Sequence, residues 1–476
     1  MDYPTLGLFI AGEWRREGRD TLPVVNPATL DVVGKLPIAT PADLDDAAEA
    51  AASSFQTWRS TSAFERYQVL RRAADLLRER AREIGIATTI EQGKPASEAI
   101  AEVGAAADTF DWFAEEGRRA YGRLVPARRV GVRNLVLAQP VGPVAAFTPW
   151  NFPITIPARK LAAALAAGCT VVFKPAEETP ATGLALAHAL ADAGLPAGVL
   201  NVVMGDPAAI STQLIRDPRI RKVSFTGSTV VGRQIAHLAA DGIKRVTLEL
   251  GGHAPVLVFD DADVEKAATL AAGSKFRNAG QICIAPTRFL VQENVYERFI
   301  DAFSARIRTL EVGNGLDDGT SMGPLAHNRR PAAISALVDD ARERGARTVI
   351  GGEPIDRPGY FWQPTLLADV DANARIMQEE PFGPVAVAVP FTDVDDGIER
   401  ANALPYGLAS YLFTGSAATA AEVSDRIEAG MLAVNHLMLT SPETPFGGVK
   451  ESGYGSEGGS EGIEDYLVTK LVSETW

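Results

Sequence analysis

The sequence predicts an α/β protein: a Rossmann-like doubly wound parallel sheet, a second α/β unit, and a small β element. Three observations carry this expectation. From Val141 onward, apolar β-type runs alternate with segments of helical periodicity, the pattern of strands joined by covering helices. The pair Gly251-Gly252 separates two such series. A glycine-rich tract from Gly447 to Gly462 then precedes one last strand, Asp465 to Val472.

Upstream of the first series, Thr40-Pro41-Ala42-Asp43 opens a long alanine-rich helix. That helix and the segment Arg66 to Arg82 are expected to cover the sheet. Val144 to Phe147, Thr170 to Phe173, Leu200 to Val203, Lys222 to Phe225 and Arg245 to Leu250 read as buried strands. One intervening helix is marked at both ends. Thr179 stands as its N-cap, Pro180 takes the first helical position, Leu186 and Leu190 share a face, and Gly194 ends it before Pro196. Such alternation requires right-handed crossovers and a parallel sheet covered on both faces. In the second series the strand candidates are Val256 to Phe259, Arg288 to Gln292, Val385 to Pro390, Ser410 to Thr414 and Met431 to Asn435. The last strand has no partner nearby in sequence, which invites pairing with another subunit.

Composition narrows the function classes. A chain of 476 residues exceeds one ordinary core, so two or three domains are expected. Its apolar fraction of 46% and charged fraction of 22% are those of a globular protein. The formal charge of −14 repels a phosphate backbone and argues against nucleic acid as a partner. The basic run from Arg118 to Arg133 is the exception and reads as a solvated surface strand pair. No apolar stretch reaches membrane-spanning length, Leu161 to Phe173 being the nearest, and no secretory signal is visible. With 2 cysteines there is no disulfide framework, and a reducing cytoplasm is expected. The 5 histidines are scattered without ligand spacing, so no metal is expected.

Three residues stand out as chemistry-bearing. Cys283 follows Asn278-Ala279-Gly280-Gln281-Ile282; a thiol attacks a carbonyl well only as thiolate, so it needs a base or a field favouring the anion. Taken alone, a buried inert cysteine is the commoner outcome, and Cys169 is assigned to it. Glu249 closes a β-run before Leu250-Gly251-Gly252, at the sheet edge where ligands bind in open α/β folds. An ion pair or helix cap is the alternative there. Asn151, in Pro149-Trp150-Asn151-Phe152-Pro153, is an amide held stiffly between prolines and aromatics, which suits an oxyanion donor; a turn residue is the plainer reading.

The ordered series is more specific than its parts. Thr148-Pro149-Trp150-Asn151-Phe152-Pro153, Lys174-Pro175-Ala176-Glu177, Phe225-Thr226-Gly227-Ser228, Glu249-Leu250-Gly251-Gly252, Gly280-Gln281-Ile282-Cys283, Glu380-Pro381-Phe382-Gly383-Pro384 and Pro445-Phe446-Gly447-Gly448 occur in this order. The chain thereby resembles the aldehyde dehydrogenase superfamily over nearly its whole length. The resemblance implies a cofactor-binding domain of residues 1–118 and 140–250, a catalytic domain of 251–450, and an oligomerisation element of 119–139 and 451–476. It implies that Cys283 is the nucleophile, forming a thiohemiacetal whose oxyanion is held by Asn151 and the Cys283 backbone N–H. Hydride then passes to nicotinamide, and Glu249 activates water against the thioester, with a possible second role in deprotonating the thiol. It further implies a homodimer or homotetramer bridged by a hairpin.

No closely spaced glycine fingerprint is present; Gly227-Ser228-Thr229-Val230-Val231-Gly232 instead leads a strand into a helix, where small residues admit a pyrophosphate. The resemblance places cofactor contacts at Trp150, Lys174, Glu177, Gly227, Ser228, Gly232, Leu250, Glu380 and Phe382. Glu177 would repel a 2′-phosphate, favouring NAD, while Lys174 leaves NADP open. Arg159, Arg277 and Ser441 resemble the carboxylate-binding pattern of the succinate semialdehyde dehydrogenase branch. Succinate semialdehyde is therefore the expected substrate. Ala285 stands where some members carry a second cysteine, so no local redox switch is expected. Pro157 and Leu437-Met438-Leu439 depart from the branch and keep glutarate semialdehyde, or a neutral aliphatic or aromatic aldehyde, as alternatives. A binding protein that has lost activity on the same fold is the remaining alternative.

Overall fold

The computed structural model describes residues 3–475. Five parallel strands form the centre of an eight-stranded sheet, in the order Leu200–Val202, Val171–Lys174, Val144–Phe147, Lys222–Thr226 and Arg245–Glu249. Numbered along the chain, these run third, second, first, fourth, fifth, which is the doubly wound arrangement. The strand order reverses between Val144–Phe147 and Lys222–Thr226. Chain leaving the carboxyl ends of the strands there opens into a crevice, and Asn151, Ser228 and Glu249 all lie at that end.

Antiparallel strands extend both edges. Leu8–Ile10 and Glu13–Arg15 lie beyond Leu200–Val202, and Gly453–Tyr454 pairs with Arg245–Glu249. The second sheet has seven strands, six of them parallel and Arg347–Ile350 antiparallel at one edge. Each sheet has its own apolar core. No helix among the described residues is long and apolar enough to cross a membrane.

The helices form largely where local signals place them. Thr40 and Asp43 close a capping box on the helix Pro41–Ser60. The helix Pro180–Asp192 starts and stops as its prolyl and glycyl residues dictate, but its cap differs from expectation. Thr179 makes no side-chain capping bond. The buried Glu91 carboxyl group instead accepts from the Ala181 N–H at 3.0 Å and the Thr182 N–H at 2.8 Å. With two acceptor oxygens, a carboxyl group brought from another helix satisfies two N–H groups of the first turn where a hydroxyl would satisfy one.

The terminal strand also differs. Leu467–Thr475 does not lack a partner: it pairs antiparallel along its whole length with Val132–Pro140, which also pairs with Arg123–Pro126. A strand 335 residues upstream, between Val132 and Leu467, could not be seen as its neighbour from local pattern. The resulting three-stranded sheet projects the exposed Leu124, Val125, Val130 and Leu471. Gly453–Tyr454 belongs to the first sheet, so the segment 451–476 serves two places in the fold.

Candidate active site

The crevice contains a cavity of about 370 Å³. Its walls carry Glu249, Cys283, Arg159 and Arg277, with apolar surface from Phe152, Ile284, Tyr411, Leu437, Met438, Leu439 and Phe446. Residues far apart in sequence thus meet at one opening.

Cys283 follows a tight loop. Asn278, Ala279 and Gly280 have φ of 48°, 52° and 70°, three successive residues in the left-handed region. Such a run is strained for Asn and Ala and persists only when contacts determine it. At Gly280 a Cβ would stand 2.1 Å from the Gly383 carbonyl oxygen, so only glycine lets the two loops meet. Asn278 is fixed by Gln92, whose Nε2 donates to its Oδ1 at 2.8 Å, and by its own Nδ2, which donates to the Asn151 carbonyl at 3.0 Å.

The Asn151 side chain faces this loop. Its Nδ2 donates to the Gln281 carbonyl at 3.1 Å, while its buried Oδ1 has no partner among the described residues. An amide so placed has a second N–H for a developing oxyanion.

The Cys283 thiol is half-buried, and its pKa is pushed up to about 12 by burial, then by the nearby Glu380 and Glu249 carboxyls, with Arg159 opposing. Of the two aids such a thiol can have, a base or a field favouring the anion, these surroundings do not supply the field. The neutral thiol is the form these surroundings favour.

Glu249 lines the same cavity. It is 2% exposed, and among the described residues neither carboxyl oxygen has a hydrogen-bond partner. Burial holds its pKa well above the usual carboxylate range, aided by Glu457 and opposed by Lys160 and Arg159. A carboxyl displaced upward in this way is a stronger base once ionised. Glu457 is itself paired with the buried Lys160. Neither residue of that pair had been singled out from the sequence; Glu457 sits in a glycine-rich tract with no pattern of its own.

The arginines differ in setting. Arg159, on the helix Thr155–Ala167, stacks its guanidinium 4.2 Å from the Phe446 ring centroid, a cation–π contact inside the cavity. Arg277 is more open, with its side chain 56% exposed and Glu98 at 3.9 Å. Ser441 is exposed and bonds within its own turn to Thr444 at 3.4 Å. It does not line the cavity, where Thr440 stands instead. The turn that Ser441 forms with Thr444 keeps it at the surface, a placement that sequence offset alone does not reveal.

The residues expected to contact the cofactor lie along the same crevice. Ser228 caps the helix Thr229–Asp241, accepting from the Val231 N–H at 3.4 Å. At Gly232 a Cβ would be 2.4 Å from the Leu250 side chain, so glycine permits that helix to close on Leu250. Gly227 lies against the Phe225 ring, 2.4 Å from where a Cβ would be. Lys174 forms an ion pair with Glu177. Trp150 meets Phe382 edge-on, with centroids 5.5 Å apart. The Glu380 carboxyl, shifted by burial to about 8, accepts from the Gly252 N–H and approaches Gly251. A helix N-terminus, glycines that a Cβ would fill and an acid–base pair beyond the next strand form a cradle that fits a dinucleotide.

Sequence patterns of the Aldehyde dehydrogenase family match residues 14–472. The chain is 51% identical to the 4-(hydroxymethyl)benzenesulfonate dehydrogenase of Comamonas testosteroni, covering 98% of this chain and 97% of that protein. It is 44% identical to the NADP(+) succinate-semialdehyde dehydrogenase of Escherichia coli, covering 98% and 96%. The crystal structure of an E. coli NADP-dependent enzyme superposes with a TM-score of 0.97 at 43% identity, covering 99% and 98%.

Proposed function

Because the chain belongs to the aldehyde dehydrogenase family, we propose that it oxidises an aldehyde carrying a distal anion through a covalent intermediate on Cys283. It is an NAD(P)-dependent aldehyde dehydrogenase on the fold that family shares. Succinate semialdehyde is the first substrate in this reading. The observation that carries it is the common cavity of Cys283, Glu249, Arg159 and Arg277. Guanidinium groups suit carboxylates because their planar donor fork matches two oxygens.

In this account the Cys283 sulfur attacks the carbonyl carbon as its proton leaves, either to water in the cavity or by way of Glu249, which passes it on to solvent. The second N–H of Asn151 and the Cys283 backbone N–H hold the oxyanion. Trp150, Lys174, Glu177, Gly227, Ser228, Gly232, Leu250, Glu380 and Phe382 would hold the dinucleotide, which supplies a hydride acceptor. Ionised again, Glu249 takes a proton from water as that water attacks the thioester; the bond between the acyl carbon and the Cys283 sulfur breaks, the acid leaves, and the sulfur takes a proton back.

Glu177 favours NAD by repelling a 2′-phosphate. NADP is the second reading, favoured by the Lys174 ammonium beside Glu177 and by the NADP-dependent relatives. For the substrate, an aromatic aldehyde bearing a sulfonate is the second reading. The 51% identity to an arenesulfonate dehydrogenase and the apolar wall of Leu437, Met438, Leu439 and Phe446 favour it. The outer sheet of residues 119–139 and 467–475 would bridge subunits in a homodimer or homotetramer, beside cofactor and catalytic domains built on the two larger sheets. Cytoplasmic placement follows from the same reading.

The test is kcat/KM for succinate semialdehyde, glutarate semialdehyde, 4-formylbenzenesulfonate and butanal, each with NAD and NADP. Preference for any anionic aldehyde over butanal supports the anion reading, and the favoured member names the substrate. Equal use of butanal contradicts it.

A further inference from the structure

We infer that Lys94 and Glu102 are positioning residues that hold Asn151 at the oxyanion. The inference rests on the assignment of Asn151 as oxyanion donor. Lys94 is fully enclosed, with its side chain 1% exposed, and Glu102 is 3% exposed. Two charges this deep are costly to desolvate and persist only where hydrogen bonds use them fully. Here they do.

The Lys94 ammonium donates to Glu102 Oε2 at 2.6 Å and to the Asn151 carbonyl at 2.8 Å. It also lies 4.2 Å from the Phe152 ring centroid. The other Glu102 oxygen accepts from the Ile154 N–H at 3.1 Å and the Thr155 N–H at 3.2 Å. Those amides open the helix Thr155–Ala167, whose own N-cap position, Ile154, has no capping side chain. One ion pair therefore grips both ends of the turn from Asn151 to Thr155. The first end is the backbone of the candidate donor, and the second starts the helix that carries Arg159.

The side chain of Asn151 has no comparable restraint of its own. Its bond to the Gln281 carbonyl sets the amide against the cysteine loop but does not by itself fix the backbone. The Asn278 amide adds a second donor to the Asn151 carbonyl from the cysteine side. Lys94 supplies the opposing hold from the helix Ala96–Gly117 and the loop before it. Displacing a donor by about 1 Å can cost on the order of a hundredfold in rate, so this hold bears on catalysis as well as folding.

The experiment uses acylation of Cys283 by 4-nitrophenyl acetate, which needs no nicotinamide, together with the NADH burst and thermal unfolding. Asn151→Ala should lower acylation by about a hundredfold to a thousandfold. Lys94→Met should lower it on the order of tenfold to a hundredfold, and the double variant Lys94→Met/Asn151→Ala no further than Asn151→Ala alone. Where Lys94→Met leaves Glu102 unpaired and fails to fold, Lys94→Met/Glu102→Gln removes both charges and should show the same loss. Additive losses, or a folded charge-free pair that acylates at the wild-type rate, overturn the inference. Wild-type acylation by Asn151→Ala itself would overturn the oxyanion assignment and the inference with it.

Discussion

The Asn151 amide reaches the carbonyl of Gln281 at 3.1 Å, two residues before Cys283 in the chain. A loop from the first sheet is thereby tied to the loop that presents the nucleophile. The site is consequently assembled only when both sheets are in place, and its chemistry is testable residue by residue.

Arg277 should discriminate by substrate charge. Hydrogen bonds to charged groups contribute about 1.5–3 kcal/mol, so Arg277→Ala should cut kcat/KM for succinate semialdehyde by roughly tenfold to a hundredfold. Butanal turnover should change little. Equal losses would make Arg277 a loop-fixing residue, paired to Glu98, and not an anion contact.

Glu177 should govern cofactor choice. Glu177→Ser removes the carboxylate and frees Lys174 from its ion pair, so NADP should gain relative to NAD in kcat/KM. A wild type that prefers NADP, with no change in Glu177→Ser, would contradict the role of this carboxylate.

Glu91 predicts a pH dependence of stability. Burial raises its pKa from 4.5 to about 7 in the folded protein. The native state therefore binds this proton more tightly than the unfolded chain, and the contribution is favourable below the unfolded value. It is lost progressively as pH rises from 4.5 to about 7. Glu91→Gln cannot ionise and should gain in Tm relative to wild type across that window. A constant difference between pH 4.5 and 7 would show that the carboxyl ionises freely in the fold.

The outer three-stranded sheet should mediate assembly. Leu471 is 64% exposed on a strand already paired within its own chain, so Leu471→Lys alters the surface without stripping a strand. Light scattering should report a smaller assembly, and an unchanged mass would place the subunit contact elsewhere.

Much of this arrangement was legible in the sequence because its signals are local. Val144–Phe147 and Arg288–Gln292 have the expected bounds, since short apolar runs closed by turn residues define buried strands. The Thr40–Asp43 capping box is likewise a local device. Long-range partnerships were not legible. Glu91 replaces Thr179 as a cap from 88 positions away, and Val132–Pro140 claims the terminal strand. The N-terminal strands and Arg347–Ile350 with Thr365–Ala368 also went unread, being short and weakly alternating. In the site, Cys283, Glu249 and Asn151 were found through an ordered motif series. Lys94 and Glu102 were not, although a lysine between Gly93 and Pro95 and glutamates four apart at 98 and 102 mark one helix face. Nothing local announces that such a face is buried.

The most direct test of the account is the fate of Cys283 in Glu249→Gln. Without its base, acylation should outrun hydrolysis, giving one burst of NADH per active site followed by slow turnover. Mass spectrometry of the protein quenched after mixing with NAD and succinate semialdehyde should find one succinyl group on the peptide carrying Cys283. A burst lost in proportion to turnover, with Cys283 unmodified, would contradict a thioester on Cys283 that Glu249 resolves.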